Sequence, residues 1–212
     1  MKEKEEQRLK KLKEIENELY NKNPNLEYIC GIDEAGRGPL AGPVVVASVI
    51  MPKDSFIEGI NDSKKVSEKK REMLYDLITE KAIAWGVGII EQTEIDELNI
   101  LNATKKGLTI SLQELKVKPD LILVDALNRI DTLGIPYHSI IKGDAKSYSI
   151  AAASIIAKVT RDRIMRQWDE IFPQYGFIGH KGYGTAAHIA AIREHGACPI
   201  HRKIFIKNII KL

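Results

Sequence analysis

The stretch from Tyr28 to Val46 limits the possible folds of this chain more than any other. An apolar run, Tyr28 to Ile32, meets two adjacent acids, Asp33 and Glu34. A Gly36-Arg37-Gly38 turn follows, and after Pro43 a second apolar run extends from Val44 to Met51. Strand, acids, glycine turn and strand set carboxylates at the rim of a sheet, beside backbone that a ligand can approach closely. Glycine allows positive φ there and carries no Cβ. Two neighbouring carboxylates just past a buried strand repel each other and lose solvation, so they favour a bound cation. Oxygen-only ligands suit Mg²⁺ or Mn²⁺ better than zinc.

Gly36-x-Gly38-x-x-Ala41 also fits a loose dinucleotide-binding fingerprint, which needs a helix directly after the glycines to receive a pyrophosphate. Pro39, Gly42 and Pro43 break any such helix, and Val44 to Ile50 reads as a strand. Asp33 and Glu34 would repel the pyrophosphate as well. The nicotinamide reading fails on context.

With 212 residues and 44% apolar content, the chain suits one globular unit with a sizeable core and an appendage. No apolar run approaches the roughly 20 residues of a membrane span. The N-terminus is charged and lacks the apolar core of a signal peptide. Cys30 and Cys198 are far apart, without the spacing of a disulfide framework. A cytoplasmic protein is expected. Net charge is only +3, but from Gly176 to Leu212 Glu194 is the sole acid among six Lys and Arg. A basic C-terminal part beside an acidic centre fits a protein that steers a polyanion onto a metal site.

Residues 1–22 predict a charged helix, with Leu9, Leu12, Ile15 and Leu19 at helical spacing and Asn23-Pro24-Asn25 ending it. It reads as a solvated arm, a helix docked on the domain or a substrate contact; the near balance of its charges favours the first two. The expected division is a helical extension over 1–25 and a catalytic unit over 26–212. Ser67 suits the N-cap of a helix carrying Met73, Leu74, Leu77 and Ile78. Trp85, Val87 and Ile89 alternate with smaller residues in a third strand over 82–90, and Trp85, Trp168 and the alanines at 151–153 read as core. One or two helices are expected over 93–115. Leu121 to Val124 reads as a buried strand closed by Asp125, and Ile135 to Ile141 as another short strand. A long helix is expected from about Lys146 to Trp168, opened by Asp144. Gly176 to Thr185 reads as a basic, aromatic, glycine-rich loop, and Thr185 as the cap of a last helix. Strands alternating with helices imply a mixed α/β sheet.

Four acids thus stand at element ends: Asp33, Glu34, Asp125 and Asp144. Each alone has an ordinary explanation, Asp144 as an N-cap and Asp125 as the start of a turn. Strand ends on one side of an α/β sheet converge, however. Three or four converging carboxylates make the setting for two divalent ions about 3.5–4 Å apart, which activate a water and steady the leaving oxygen in phosphodiester cleavage.

From Asp33 to Val44 the sequence resembles the signature of the ribonuclease HII family. Asn61-Asp62-Ser63-Lys64-Lys65, Leu123-Val124-Asp125, Lys142-Gly143-Asp144, Ala152 to Asp162, His180 to Thr185 and Pro199 to Arg202 are similar to its later blocks, in the same order. The resemblance runs from about Leu26 to Phe205. It implies an RNase H-like fold, a five-stranded mixed sheet flanked by helices with a C-terminal helical part. It implies an endonuclease that cuts the RNA strand of RNA–DNA hybrids and nicks duplex DNA on the 5′ side of an embedded ribonucleotide. Such an enzyme uses Mg²⁺ or Mn²⁺, two ions per site, and leaves 3′-hydroxyl and 5′-phosphate ends. Asp33, Glu34, Asp125 and Asp144 become the catalytic metal ligands, and Gly36, Arg37, Gly38 and Tyr183 the readers of the ribonucleotide and its junction with DNA. The expected partners are RNA–DNA hybrid and ribonucleotide-containing duplex DNA, and the expected state is a monomer. Two departures stand out: Ala126 occupies a position where the family commonly has glycine, and Gly196-Ala197-Cys198-Pro199 differs from the usual wording.

The residues themselves agree with these roles. Only the 2′-hydroxyl separates RNA from DNA at one nucleotide, and backbone groups of a glycine turn reach it without an intervening side chain. Tyr183 between Gly182 and Gly184 suits an exposed, stacking ring. Ser63, Lys64 and Lys181 suit phosphate contacts. His195-x-x-Cys198-x-x-His201, with His188 upstream, matches no common structural-zinc spacing.

Overall fold

A computed structural model describes residues 3–210; residues 1–2 of the expected N-terminal helix and 211–212 of the expected catalytic unit lie outside the described residues. The sheet is built from β1 (Ile29–Ala35), β2 (Val44–Ile50), β3 (Ala84–Ile90), β4 (Leu121–Asp125) and β5 (Tyr137–Ile140). Their order is β3-β2-β1-β4-β5. β1 and β2 form the antiparallel pair around the glycine turn, β2 and β3 are also antiparallel, and β1, β4 and β5 run parallel. Parallel neighbours end on the same edge, and the register pairs Ile32 with Val124 and Asp125 with Ile140. Asp33 therefore stands beside Asp125, with the segment leading to Asp144 just beyond.

β2 is buried along its whole length because helices cover both faces. Val45, Ala47 and Val49 join one core with α3 (Glu68–Lys81) and α6 (Tyr148–Ile171); Val46 and Ile50 join another with α5 (Ile100–Gln113). The alanines at 151–153 are fully buried, which lets α6 lie close on the sheet. A third core, around Met165, Phe177, Ile192 and Ile200, holds together the C-terminal helical part. That part comprises α7 (Phe177–His180), α8 (Ala186–His195) and α9 (Lys203–Ile206). The region expected as helix over 93–115 forms two, α4 (Gln92–Leu98) and α5, with Asn99 capping the second. No described helix is long and apolar enough to cross a membrane.

β3 reverses one expectation. Trp85 and Ile89 are 38% and 42% exposed, and Gly86 and Gly88 face inward instead. A Cβ on Gly88 would lie 2.0 Å from the Gly107 carbonyl oxygen, so α5 packs backbone-on-backbone against this edge strand. The close approach takes the glycines inward and turns the large side chains out.

The N-terminal segment docks rather than standing free. It forms α1 (Glu3–Leu12) and α2 (Glu14–Lys22), broken where Lys13 turns inward. The Lys13 ammonium donates to the Ser55 carbonyl at 2.9 Å and lies over the rings of Phe56 and Tyr148. Leu9 and Leu12 are buried in the α6 core, and Glu16 accepts from the Ser147 hydroxyl at 2.8 Å and the Ser149 amide at 2.9 Å.

Candidate active site

The sheet topology accounts for the meeting of the acids. Asp33 and Glu34 end β1, Asp125 ends β4, and Asp144 sits in a 3-10 turn over Gly143–Ala145, directly after β5. Asp144 does not cap α6. Ser147 does, accepting from the Ile150 amide at 3.3 Å, and the helix starts at Tyr148.

Burial pushes the Asp33 carboxyl well above its ordinary range, and the charges of Glu34 and Asp125 add to the shift. Glu34 is raised as well, chiefly by burial, although the Arg37 guanidinium 3.2 Å away opposes it. Asp144 is raised by burial and by Asp62 and Asp125. Asp33, Glu34 and Asp144 are thus short of positive charge, as their sequence positions imply. The four acids are not drawn into a ready-made cage, because among the described residues no three such side chains are grouped to hold a metal ion. Each is tied elsewhere: Asp33 accepts from the Glu34 amide at 2.8 Å, Glu34 pairs with Arg37, Asp125 accepts from the Gly143 amide at 2.7 Å, and Asp144 lies 3.9 Å from the Lys64 ammonium. Oε2 of Glu34 is nevertheless buried without any hydrogen-bond partner. An orphaned carboxylate oxygen in an all-oxygen donor set fits a hard divalent cation.

Beside the acids, two distant segments come together. Leu40 donates its amide to the Gly182 carbonyl at 2.8 Å, and a Cβ on Gly38 would lie 3.8 Å from the Tyr183 ring. Tyr183 is 44% exposed and Arg37 and Gly38 are exposed beside it, so the ring and the tip of the turn form one open surface, whereas Gly36, expected as a substrate contact, is buried beneath it.

Two arginines beneath that surface had no role in the sequence reading. Arg161, on α6, donates to the carbonyls of Pro43 (2.9 Å), Lys181 (2.9 Å) and Ala41 (3.0 Å). Arg202 donates to those of Gly42 (2.9 Å), Arg37 (3.0 Å) and Gly36 (2.6 Å). Both are essentially buried, and burial pushes their guanidinium pKa values down to about 10 and about 9, still protonated at neutral pH. The fork of each arginine satisfies carbonyls that a tight turn leaves unpaired. Gly36, at φ 97°, has no room for a side chain, since a Cβ would meet Nε of Arg161 at 2.1 Å. Arg161 alone spans both segments. The only sequence signal was an arginine among the buried positions of an alanine-rich helix.

The histidines serve the same surface. The Cys198 amide donates to Nδ1 of His201 (2.9 Å), leaving the His201 proton on Nε2, directed at Nε2 of His188 (3.0 Å). Nδ1–H of His188 then donates to the Tyr183 carbonyl at 2.9 Å. This hydrogen-bond pattern fixes both tautomers. Burial pushes His201 down to about 4 and lowers His188.

The three expected phosphate contacts differ in access. Lys64 is exposed; burial lowers its pKa, but the fields of Asp144, Asp62, Asp33 and Asp125 outweigh that and raise it. Ser63 is buried, its hydroxyl bonded to that of Ser154 at 2.9 Å. Lys181 is 8% exposed, and its ammonium donates to the Ile178 carbonyl at 2.6 Å and lies 3.7 Å from Glu68. A direct phosphate contact from Ser63 or Lys181 requires those bonds to be released. Ala126, the departure noted above, has φ 45°, a left-handed conformation that favours glycine.

The ribonuclease HII family model matches residues 30–208. A ribonuclease HII of Acetivibrio thermocellus is 59% identical over 195 residues, 92% of this chain and 75% of the relative. The crystal structure of ribonuclease H2 from Pyrococcus horikoshii superposes with a TM-score of 0.73 at 27% identity, covering 86% of this chain and 96% of that one. The ribonuclease HII of Archaeoglobus fulgidus, solved in complex with PCNA, gives 0.68 at 29% identity over 82% of this chain and 93% of that one.

Proposed function

Because the chain belongs to the ribonuclease HII family, metal-dependent endonucleases that cut the RNA strand of RNA–DNA hybrids, we propose that it also nicks duplex DNA on the 5′ side of a single embedded ribonucleotide. The observation that carries this reading is the contact between the Gly-Arg-Gly turn and Tyr183 next to the acids. One sugar must be identified by its 2′-hydroxyl, and the exposed tip of the glycine turn, Arg37-Gly38, lets backbone approach it without an intervening Cβ at Gly38. Tyr183 stacks on the neighbouring deoxyribose or base and fixes the junction.

Asp33, Glu34, Asp125 and Asp144 would hold the divalent cations, Mg²⁺ or Mn²⁺. When bound, a pair of such ions supplies an activated water and stabilises the leaving 3′-oxygen. The chain's own residues do the rest. Cations held there would take the place of Arg37 and Lys64 as the partners of Glu34 and Asp144. Arg37 and Lys64 are then free to meet the phosphates flanking the scissile bond. Arg161 and Arg202 hold the reading surface still, so that the selected phosphodiester is presented to the acids in one register. Residues 26–212 are the proposed catalytic unit, acting as a monomer in the cytoplasm, with 1–25 as an extension.

A nucleic-acid-binding module without catalysis would share the open surface but has no need of four converging acids. A ribonuclease H that requires several consecutive ribonucleotides has no need of a junction reader. Incubating the protein with three duplexes separates the readings: all-DNA, DNA with one ribonucleotide, and a full RNA–DNA hybrid, each with Mg²⁺, with Mn²⁺ and with EDTA. The proposal expects ion-dependent cleavage of the second and third only. Cleavage of the hybrid without the single-ribonucleotide duplex would refute the junction-reading role.

A further inference from the structure

The family match begins at residue 30, after the N-terminal helices. Those helices nevertheless grip the two loops that carry part of the acidic site. Glu5 accepts from the Gly59 amide at 2.8 Å and Arg8 donates to the Ile60 carbonyl at 2.7 Å, just before Asp62 to Lys64. Glu16 bonds Ser147 and Ser149, just after Asp144. Between helices and loops lies a cavity of about 430 Å³ whose walls include Arg8, Lys11, Asn61, Lys65 and Lys146. The cations come from three separate chain segments, and only one acid, Glu14, shares the lining. Arg8 is paired with Glu5 and Lys65 stands 4.0 Å from Asp62, whereas Lys11 and Lys146 have no carboxylate within 4 Å among the described residues. Ala145, next to Asp144 in the chain, and Lys146 both line the cavity, which places it beside the segment that carries that acid.

We propose that α1 and α2 form one wall of the nucleic-acid cleft, in which Lys11, Lys146 and Lys65 grip a backbone phosphate of the duplex beyond the scissile bond. The inference rests on the hybrid-endonuclease reading above. Cations held around one cavity repel one another until an anion neutralises them, and a polyanion leaving a carboxylate-rich site needs a positive neighbour to offset the repulsion. A duplex backbone supplies phosphates at the regular spacing that lets one be seated here while another lies at the acids. Such a contact adds affinity and register without sequence preference. The docked leucines and the buried Glu16 make the wall rigid, so the lysines are held beside the cleft without a folding step.

The test is the salt dependence of binding. A fluorescent RNA–DNA hybrid is titrated with the full chain in EDTA, between 50 and 200 mM salt, so that cleavage is silent. Variants are Lys11→Gln/Lys146→Gln, Lys11→Arg/Lys146→Arg, and Lys118→Gln as a control before the opposite end of β4. The double Gln variant should lose about one unit of the log–log salt slope and roughly three- to tenfold in affinity at the lower salt. The double Arg variant should retain both, and thermal midpoints should be unchanged because these lysines are exposed. A slope equal to wild type in the double Gln variant, or an equal loss in Lys118→Gln, overturns the inference. Cleavage of the same hybrid by wild type in Mg²⁺ is followed in parallel. If wild type cleaves while the slopes coincide, only the role of the N-terminal wall falls; if wild type neither binds nor cleaves, the endonuclease reading falls with it.

Discussion

Replacing Arg161 by lysine keeps a cation under the surface formed by the Gly-Arg-Gly turn and Tyr183 but removes the planar fork. Arg161 makes three bonds, to the carbonyls of Pro43, Ala41 and Lys181, and is 1% exposed. A single ammonium on a shorter head reaches one of these carbonyls well and leaves the other two buried and poorly paired. At about 1–3 kcal/mol for each unsatisfied buried acceptor, offset in part because some backbone relaxes, the loss should be about 3 kcal/mol. For a chain of this size that lowers the melting midpoint by about 6–12 °C. The functional consequence is separate from stability. Arg161 ties the 36–43 turn to the 181–183 segment, so losing it lets Gly38 and Tyr183 drift apart, and misplacement on the order of 1 Å can cost about 100-fold in rate. The assay is kcat/KM at 25 °C, well below the midpoint, on the single-ribonucleotide duplex and on a long hybrid. The first should fall at least about tenfold more than the second. Equal losses on the two substrates, or a midpoint within 2 °C of wild type, would refute the clamp.

Tyr183→Ala should lose about 1–3 kcal/mol of stacking on the single-ribonucleotide duplex and less on a long hybrid, with the thermal midpoint barely moved because the ring is 44% exposed; an equal loss on both with a destabilised protein would point to a packing role. Ala126→Gly should raise stability by about 0.5–1 kcal/mol, since φ 45° strains alanine, and a lowered midpoint would contradict that account of the turn. Stability should also fall on acidification through the histidine pair. His201 has its folded pKa pushed down to about 4, so the unfolded chain binds the proton first. The contribution is complete above the unfolded value near 6.5 and is lost as pH drops toward 4, by roughly 2–3 kcal/mol. Thermal midpoints of wild type and His201→Gln at pH 7 and pH 5 check this, the variant being expected to show the smaller decline.

Much of the site was legible because strand ends leave a one-dimensional trace. Apolar runs stopping at Asp33 and Asp125 mark both the strands and the edge, whereas the parallel pairing that sets those acids side by side depends on chain crossings far apart in sequence. Asp144 was placed correctly at an element end for the wrong reason: Ser147, three residues on, is the cap, which leaves the carboxylate available. The failures share a cause, namely that packing partners decide which way a side chain faces. Trp85 turns outward because α5 needs the inner glycines, and Ser63 and Lys181 turn inward to bond Ser154 and Ile178. Arg161 and Arg202 carried no structural role in the sequence, since nothing local shows that six carbonyls of two turns converge on them. The leucines of the N-terminal helix were legible as an apolar face, but not the surface that receives them.

The most direct test of the central claim is to map the ends made by wild type, Asp33→Asn and Asp125→Asn on a DNA duplex with one ribonucleotide in Mg²⁺. Wild type should cut once, on the 5′ side of the ribonucleotide, leaving a 3′-hydroxyl and a 5′-phosphate. Each variant should lose more than about 100-fold in rate, the upper range for residues that merely support a metal ligand, while binding the duplex as tightly as wild type or more so in EDTA. Near-normal turnover by either variant, or a cut on the 3′ side, would contradict the account.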